Sequence, residues 1–427
     1  MISPGLAISG MLLLGLIVGV PIPFAIGAAV LLGYYLLDIP IIALAQTSYD
    51  ALEGLPIITV PLFVLAGGIM LHGGIAERLI EIARTFLGKK TGSYALVTIV
   101  GCMFFAAMSG SGPATTAAIG AITIPAMMKQ GFRVEDAGAV AASGGALGSL
   151  IPPSNLMIFY GIVSGTSIPR LFLAGMLPGI ITALLLCFVA WVIARKKGYV
   201  GDPTPIEKGA RLRSLWDGKW AISAPVVILG GIYGGIFTAT EAAAVAVIYS
   251  LFICSVVYRQ LRWVHIIESI KQTALIAGTI IIVLGAAKGF GQLMGILEAP
   301  DAIRGYFGEN MNAFLLLMIM ATILIVTGTF MESIAQIILF TPLMLPVAIA
   351  SGVDPIAFGI IMVAACEIGF LTPPVGANLF VASRLTGVSI ERLSLSALPY
   401  LVAYLLIIVL VALSPGLATY LPTLVFG

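Results

Sequence analysis

The chain has 427 residues, 60% of them hydrophobic and only 9% charged, with a mean hydropathy of +1.13. A soluble globular protein carries about 25% charged residues, so the composition excludes one and leaves a multi-spanning membrane protein. The net charge of +2 names no partner; the positions of the charges are more informative.

Residues 1–37 have no basic lead segment and contain two apolar stretches in succession. They read as crossings near 5–20 and 22–38 rather than as a cleaved signal. A third crossing is expected near 56–78. Residues 94–128 form a re-entrant hairpin, and crossings follow near 136–165 and 171–194. The stretch 171–194 is uncharged throughout and meets the roughly 20 residues needed to cross the hydrocarbon core. Residues 195–220 form a polar connecting segment. It carries Arg195, Lys196, Lys197, Lys208, Arg211, Arg213 and Lys219, which the positive-inside rule places in the cytoplasm. The second half repeats the plan, with crossings near 221–237, 241–258, 272–297, 355–385 and 395–413 and a hairpin at 313–350.

This orientation puts Arg78, Arg84, Lys89, Lys90, Lys129, Arg133, Arg259, Arg262, Lys271, Arg384 and Arg392 at or near the cytoplasmic face. Only Arg170, Lys288 and Arg304 are left for the other side or for depth. The segments assigned outside, 38–54 and 298–312, carry three acids each and at most one base. It holds only if 94–128 enters and leaves on the cytoplasmic side and 313–350 on the outside. Each half then has five crossings and one hairpin. Because five is odd, residues 221–427 insert upside down relative to 1–194, giving two inverted-topology repeats with both termini periplasmic.

A Pro-Pro pair recurs within apolar sequence, in Gly148-Ser149-Leu150-Ile151-Pro152-Pro153 and again in Gly369-Phe370-Leu371-Thr372-Pro373-Pro374, an offset of 221 residues. At the same offset Pro125 pairs with Pro346, Gly131 with Gly352, and Phe159 with Phe380. Broken helices at matching points of two hydrophobic halves point to a transporter's binding site, since unwound backbone at membrane depth lines a cavity. The first hairpin carries Ser109-Gly110-Ser111-Gly112-Pro113-Ala114-Thr115-Thr116, and the second carries Thr327-Gly328-Thr329-Phe330-Met331-Glu332-Ser333. Such breaks free carbonyls beside hydroxyls, the hard oxygen ligands that suit an alkali cation. The same hydroxyls could instead bond across helices as packing contacts.

Intramembrane acids mark pathways. Glu332 lies at the second hairpin tip and Glu367 just before the second Pro-Pro break, with Ser111 and Ala146 as their counterparts. Each could also be neutralised structurally, by Lys288 or Arg384. Glu332→Gln is expected to impair uptake more than Glu367→Gln. Glu241 is expected to cap a helix start. Cys102, Cys187, Cys254 and Cys366 read as small packed hydrophobes. His72 and His265 read as isolated, with no visible metal-ligand set.

These motifs resemble the large membrane subunit of the tripartite ATP-independent periplasmic (TRAP) transporters, in the ion transporter superfamily. The most specific stretches are Met108 to Thr116, Gly148 to Ser154, Gly328-Thr329-Phe330-Met331-Glu332 and Leu371-Thr372-Pro373-Pro374-Val375-Gly376. The resemblance implies a scaffold and an elevator-type transport domain built from the hairpins and broken helices. It implies sodium-coupled uptake of an organic acid anion, such as sialic acid or a C4-dicarboxylate, across the bacterial inner membrane. It also implies a separate small four-helix membrane subunit and a periplasmic substrate-binding protein. One sodium site would use Ser109, Ser111, Gly148, Ile151 and Pro153, and a second Gly328, Met331, Gly369, Thr372 and Pro374. Substrate would lie near Ser111, Ser154, Asn155, Glu332 and Asn378. Single-chain relatives carry Ser-Asn-Thr signatures at such tips, whereas this chain has Pro153-Ser154-Asn155-Leu156 and Val375-Gly376-Ala377-Asn378.

An ATP-driven pump is disfavoured, because Gly88-Lys89-Lys90-Thr91 lacks the spacing of a phosphate loop. A membrane enzyme would need more convergent acid, base or metal groups than Glu332 and Glu367 supply. No organic cofactor is expected. The remaining alternatives are a stand-alone sodium-coupled carboxylate transporter of the same superfamily and a passive channel. Because the first span begins at once, the small subunit is expected to be a separate polypeptide.

Overall fold

The computed structural model describes residues 4–53, 56–88, 91–201, 207–299, 301–302, 305 and 312–427. Lys89, Lys90, Arg304 and much of the acidic segment 298–312 therefore lie outside the described residues. The described part is helical, with no strand. It begins with α1 (Pro4–Ile17), α2 (Ile22–Leu36), α3 (Ile41–Leu52), α4 (Pro56–His72) and α5 (Ile75–Leu87). A hairpin follows, α6 (Ser93–Ser109) and α7 (Gly112–Lys129), and then a broken helix, α8 (Val134–Gly145), α9 (Leu147–Leu150) and α10 (Asn155–Ser164). Next come α11 (Ile168–Lys197), α12 (Ala210–Asp217), α13 (Lys219–Tyr233), α14 (Ala239–Phe252), which a π-turn extends over Ile253–Val257, and α15 (Trp263–Ile296). A second hairpin, α16 (Ala313–Gly328) and α17 (Ser333–Ala350), precedes a second broken helix, α18 (Pro355–Phe370) and α19 (Ala377–Thr386). The chain closes with α20 (Ile390–Leu413) and α21 (Gly416–Phe426).

Among the described residues six helical segments are long and apolar enough to cross a bilayer by length and composition: Val134–Ser164, Ile168–Lys197, Ala239–Val257, Trp263–Ile296, Ser333–Ala350 and Ile390–Leu413. Five coincide with expected crossings, and Ser333–Ala350 falls in the second hairpin. The expected crossings at the ends of α1, α2 and α13 are apolar helices of fewer than 18 residues, shorter than a full perpendicular span. The crossing expected near 56–78 ends sooner, because Gly73 and Gly74 break it and Gly74 takes a left-handed φ of +77°. Beyond that break α5 alternates apolar and charged residues, burying Leu79, Ile80 and Ala83 and leaving Glu77 exposed. α3, α5, α12 and α21 are helices that the hydropathy pattern alone did not separate.

Packing places the broken helices at the centre. Every residue of α18 from Ala357 to Phe370 is buried, enclosed by α16, α17, α11 and α20. α8 packs on α6, α7, α19 and α20, and its Ala- and Gly-rich sequence permits that closeness. On the periphery α2, α3 and α4 pack on α15, and α14 packs on α4. Helix starts are capped as the sequence suggests. Thr238 and Glu241 form a capping box at α14, and Asp354 accepts from the Ile356 and Ala357 amides at α18.

The structure corrects one reading. His72 and His265 are not isolated: their rings stack 4.8 Å apart and 14° from parallel, joining the end of α4 to the start of α15. His72 Nε2 lies 4.0 Å from Glu268. The two residues are 193 positions apart in sequence, so no spacing rule could have paired them. The four cysteines are free thiols, three of them buried.

Candidate functional site

At the first hairpin tip α6 ends on Ser109, Gly110 turns the chain with a φ of +61°, and Ser111 starts α7. Hydroxyls hold this turn. Ser109 Oγ lies 2.8 Å from Thr115 Oγ1, Thr115 Oγ1 donates to the Ser111 carbonyl at 2.8 Å, and Ser111 Oγ accepts from the Ala114 amide. The broken helix passes directly behind. Pro152 and Pro153 offer no N–H, so the helical ladder stops, and α10 restarts under Ser154, whose hydroxyl accepts from the Met157 amide. The Asn155 amide then donates to the Gly110 carbonyl at 3.1 Å, tying tip to break. A Cβ on Gly148 would stand 2.5 Å from the Ser111 carbonyl oxygen, and one on Gly110 would stand 2.7 Å from the Pro153 carbonyl oxygen. Backbone meets backbone, which only glycine permits.

The second tip repeats the plan. Glu332 starts α17 and its carboxylate accepts from the Ile334 and Ala335 amides at 3.0 and 3.2 Å, the role Ser111 plays 221 residues earlier. The Val375 amide donates to the Thr329 carbonyl at 3.0 Å. A Cβ on Gly369 would stand 2.6 Å from the Gly328 carbonyl carbon. Gln336, fully buried, donates from Nε2 to the Leu324 carbonyl and to Thr327 Oγ1, and its Oε1 has no partner.

Between these junctions lies Glu367. It is fully buried, and its Oε2 accepts from Asn378 Nδ2 at 3.3 Å. The Ser149 side chain lies near its carboxyl group. Neither Lys288 nor Arg384 forms an ion pair with it among the described residues, so the structural salt bridge weighed from the sequence is not formed. Glu332, by contrast, borders a cavity of about 370 Å³ lined by Ile22 and Pro23 of α2, Leu275 to Val283 of α15, and Ile334 and Ala335 of α17.

The sequence-derived residues thus separate into groups. Ser109, Ser111, Gly148 and Pro153 meet at the first junction, and Gly328 and Gly369 meet at the second. Ile151 follows α9 directly, with its side chain against Gly179. Thr372 spends its hydroxyl on the Ile368 carbonyl, while Met331 is buried in the apolar cluster that α1, α2 and α15 share. Ser154 spends its hydroxyl on the cap and on the Ser149 carbonyl. Asn155 Oδ1 is buried without a partner. The cavity beside Glu332 is lined by none of Ser111, Ser154, Asn155 or Asn378. Thr115, Ser149 and Gln336 were missed as polar members of the site. The 221-residue offset that maps Thr115 onto Gln336 could have found that pair. The donor set of carbonyls, hydroxyls and amide oxygens fits an alkali cation by ligand type.

A helical membrane protein with two oxygen-rich hairpin tips docked on two broken helices has the architecture of a transporter. Its fold matches the crystal structure of the Alcanivorax borkumensis YdaH transporter, with a TM-score of 0.59 over 87% of this chain and 88% of that one at 15% identity. Residues 9–417 match the tripartite ATP-independent periplasmic transporter, DctM component, and the chain belongs to that family. It is 40% identical over 99% of its length to the isethionate TRAP transporter permease protein DctMQ of Oleidesulfovibrio alaskensis, of which it spans 66%. It is 35% identical to the C4-dicarboxylate TRAP transporter large permease protein DctM of Rhodobacter capsulatus, over 98% of this chain and 99% of that one. It is also 35% identical to the sialic acid TRAP transporter large permease protein SiaM of Vibrio cholerae, over 90% of each.

Proposed function

We propose that this chain is the transporting subunit of a sodium-coupled secondary importer of an organic acid anion in the bacterial inner membrane. The observation that carries the reading is the doubled junction of tip and break, each with backbone oxygens packed against glycine. Ser109, Ser111, Gly148, Ile151 and Pro153 would hold one sodium ion, and Gly328, Met331, Gly369, Thr372 and Pro374 a second. Bound sodium supplies positive charge that favours an anionic substrate beside the tips. Ser111 and Asn155 are the protein groups left to contact substrate at the first tip, since Ser154 is committed to its cap. The hairpins and broken helices move together as an elevator against α2 and α15, with residues 1–194 and 221–427 as inverted repeats. A small membrane subunit and a periplasmic binding protein complete the assembly and deliver substrate.

Reconstituted uptake tests this. Isethionate, succinate and sialic acid, each radiolabelled, are offered to proteoliposomes containing the chain with and without its small subunit and binding protein. Uptake driven by inward sodium and requiring all components is expected. Uptake by the chain alone would make it a self-sufficient carrier, and sodium-independent equilibration would make it a channel.

A further inference from the structure

Glu367 carries a charge problem that the two junctions leave unsolved. Its side chain is fully buried, and Oε2 is used by Asn378 while Oε1 has no partner. Asn378 is equally buried, and its Oδ1 has no partner either. Both side chains face the start of α7. A Cβ on Gly112, the first residue of that helix, would stand 2.9 Å from Asn378 Oδ1 and 3.1 Å from Glu367 Oε2. Ser149 reaches the same carboxyl group from the first broken helix. Four segments, two from each half of the chain, therefore converge on one carboxylate.

The Asn378 amide and the positive end of the α7 dipole both favour the ionised form. Together they still amount to less than one compensating charge, and a buried carboxylate without a counter-charge is strongly disfavoured. No basic side chain among the described residues pairs with it. The unpartnered atoms are both acceptor oxygens, and Glu367 supplies the carboxylate among them. One carboxylate with neutral oxygens suits a monovalent hard cation, whereas a divalent ion would call for more ligand charge.

We propose that Glu367 and Asn378 form a further sodium site, separate from the two junctions, with Glu367 Oε1 and Asn378 Oδ1 as ligands. It joins the first hairpin to the second broken helix and so couples the two halves. It rests on the sodium-coupled reading above, and it takes Asn378 from the substrate contacts to the ion contacts.

The test is equilibrium binding of radioactive sodium to the purified chain, with any small subunit that co-purifies, in the absence of substrate. Wild type is expected to bind one more sodium ion per chain than Glu367→Gln, with a smaller sodium-dependent rise in Tm for the variant. Glutamine reproduces the shape of a protonated carboxyl, so wild-type sodium stoichiometry in a folded Glu367→Gln protein overturns the site. Should Glu367→Gln fail to fold, Asn378→Ser removes the carboxamide, both the proposed ligand oxygen and the Nδ2 donor to Glu367, while leaving the acid in place. It is expected to raise the half-saturating sodium of one site about fivefold, the equivalent of one lost neutral ligand, and unchanged sodium binding would again overturn the proposal. A wild type that binds no sodium at all defeats the coupling reading itself, an outcome distinct from either variant result.

Discussion

At Gly148 and Gly369, 221 residues apart, the space for a side chain is already taken by hairpin backbone. This makes the paired glycines the tightest constraint on the tips, because neither neighbouring atom is the end of a flexible side chain. Gly148→Ala is expected to push Ser111 away from the break, at an overpacking cost of about 1–3 kcal/mol. Since about 1.4 kcal/mol is a factor of ten, sodium-driven uptake should fall about fivefold or more and half-activating sodium should rise. Gly278→Ala in α15 provides the comparison: its Cβ meets nothing within 4 Å, and uptake should match wild type. Equal activity of the two variants would remove the close approach from the mechanism. The two acids differ at this scale: Glu332 has its amide donors and borders a cavity, whereas Glu367 is sealed in with an unpartnered oxygen.

Away from the junctions, the first turn of α8 is clamped to the end of α11. Lys197 Nζ donates to both Asp136 oxygens at 2.8 Å, and Tyr199 Oη donates to Oδ2 at 2.5 Å. Phe132 stacks on Tyr199 with ring centroids 4.0 Å apart. Burial first, then the bond to Asp136, pushes the Tyr199 phenol up to about 12, so it remains a donor across the physiological range. Lys197→Met strands Asp136, which is buried. The loss in unfolding free energy should fall near the low end of the roughly 3–5 kcal/mol for a broken buried pair, because the Lys197 side chain is 39% exposed. Thermal unfolding of Lys197→Met beside the Asp136→Asn/Lys197→Met double variant checks this, and the double variant should recover much of the loss. None of this clamp was legible in the sequence, since Lys197 was read only as one charge in a basic run. The helix ends at Ser109, Leu150 and Phe370 were legible, because Ser-Gly-Ser-Gly and Pro-Pro interrupt apolar stretches there. The helices α3 and α5 were not, because their apolar residues sit on one face and dilute in a hydropathy window. Gln336 was missed for a different reason: one amide in an apolar helix carries no signal of its own, and only the 221-residue offset to Thr115 marks it before the fold sets it against Gly328.

For the whole molecule, the elevator reading makes a claim about what moves against what. The cavity beside Glu332 has α2 and α15 on one wall and the start of α17 on the other, so it lies along the surface where a transport domain would slide past a scaffold. Static packing would leave those walls in a fixed relation, whereas rigid-body transport must separate them in each cycle. With Cys102, Cys187, Cys254 and Cys366 replaced by Ala or Ser, a cysteine pair at Ile276 and Ile334, one on each wall, can be bridged by a bifunctional maleimide. Bridged protein is expected to lose sodium-driven uptake while keeping sodium binding and its thermal unfolding midpoint. The two single-cysteine proteins given the same reagent should keep transporting. Full uptake by the bridged pair would mean that α15 and α17 travel together, and the boundary between scaffold and transport domain would have to be drawn elsewhere.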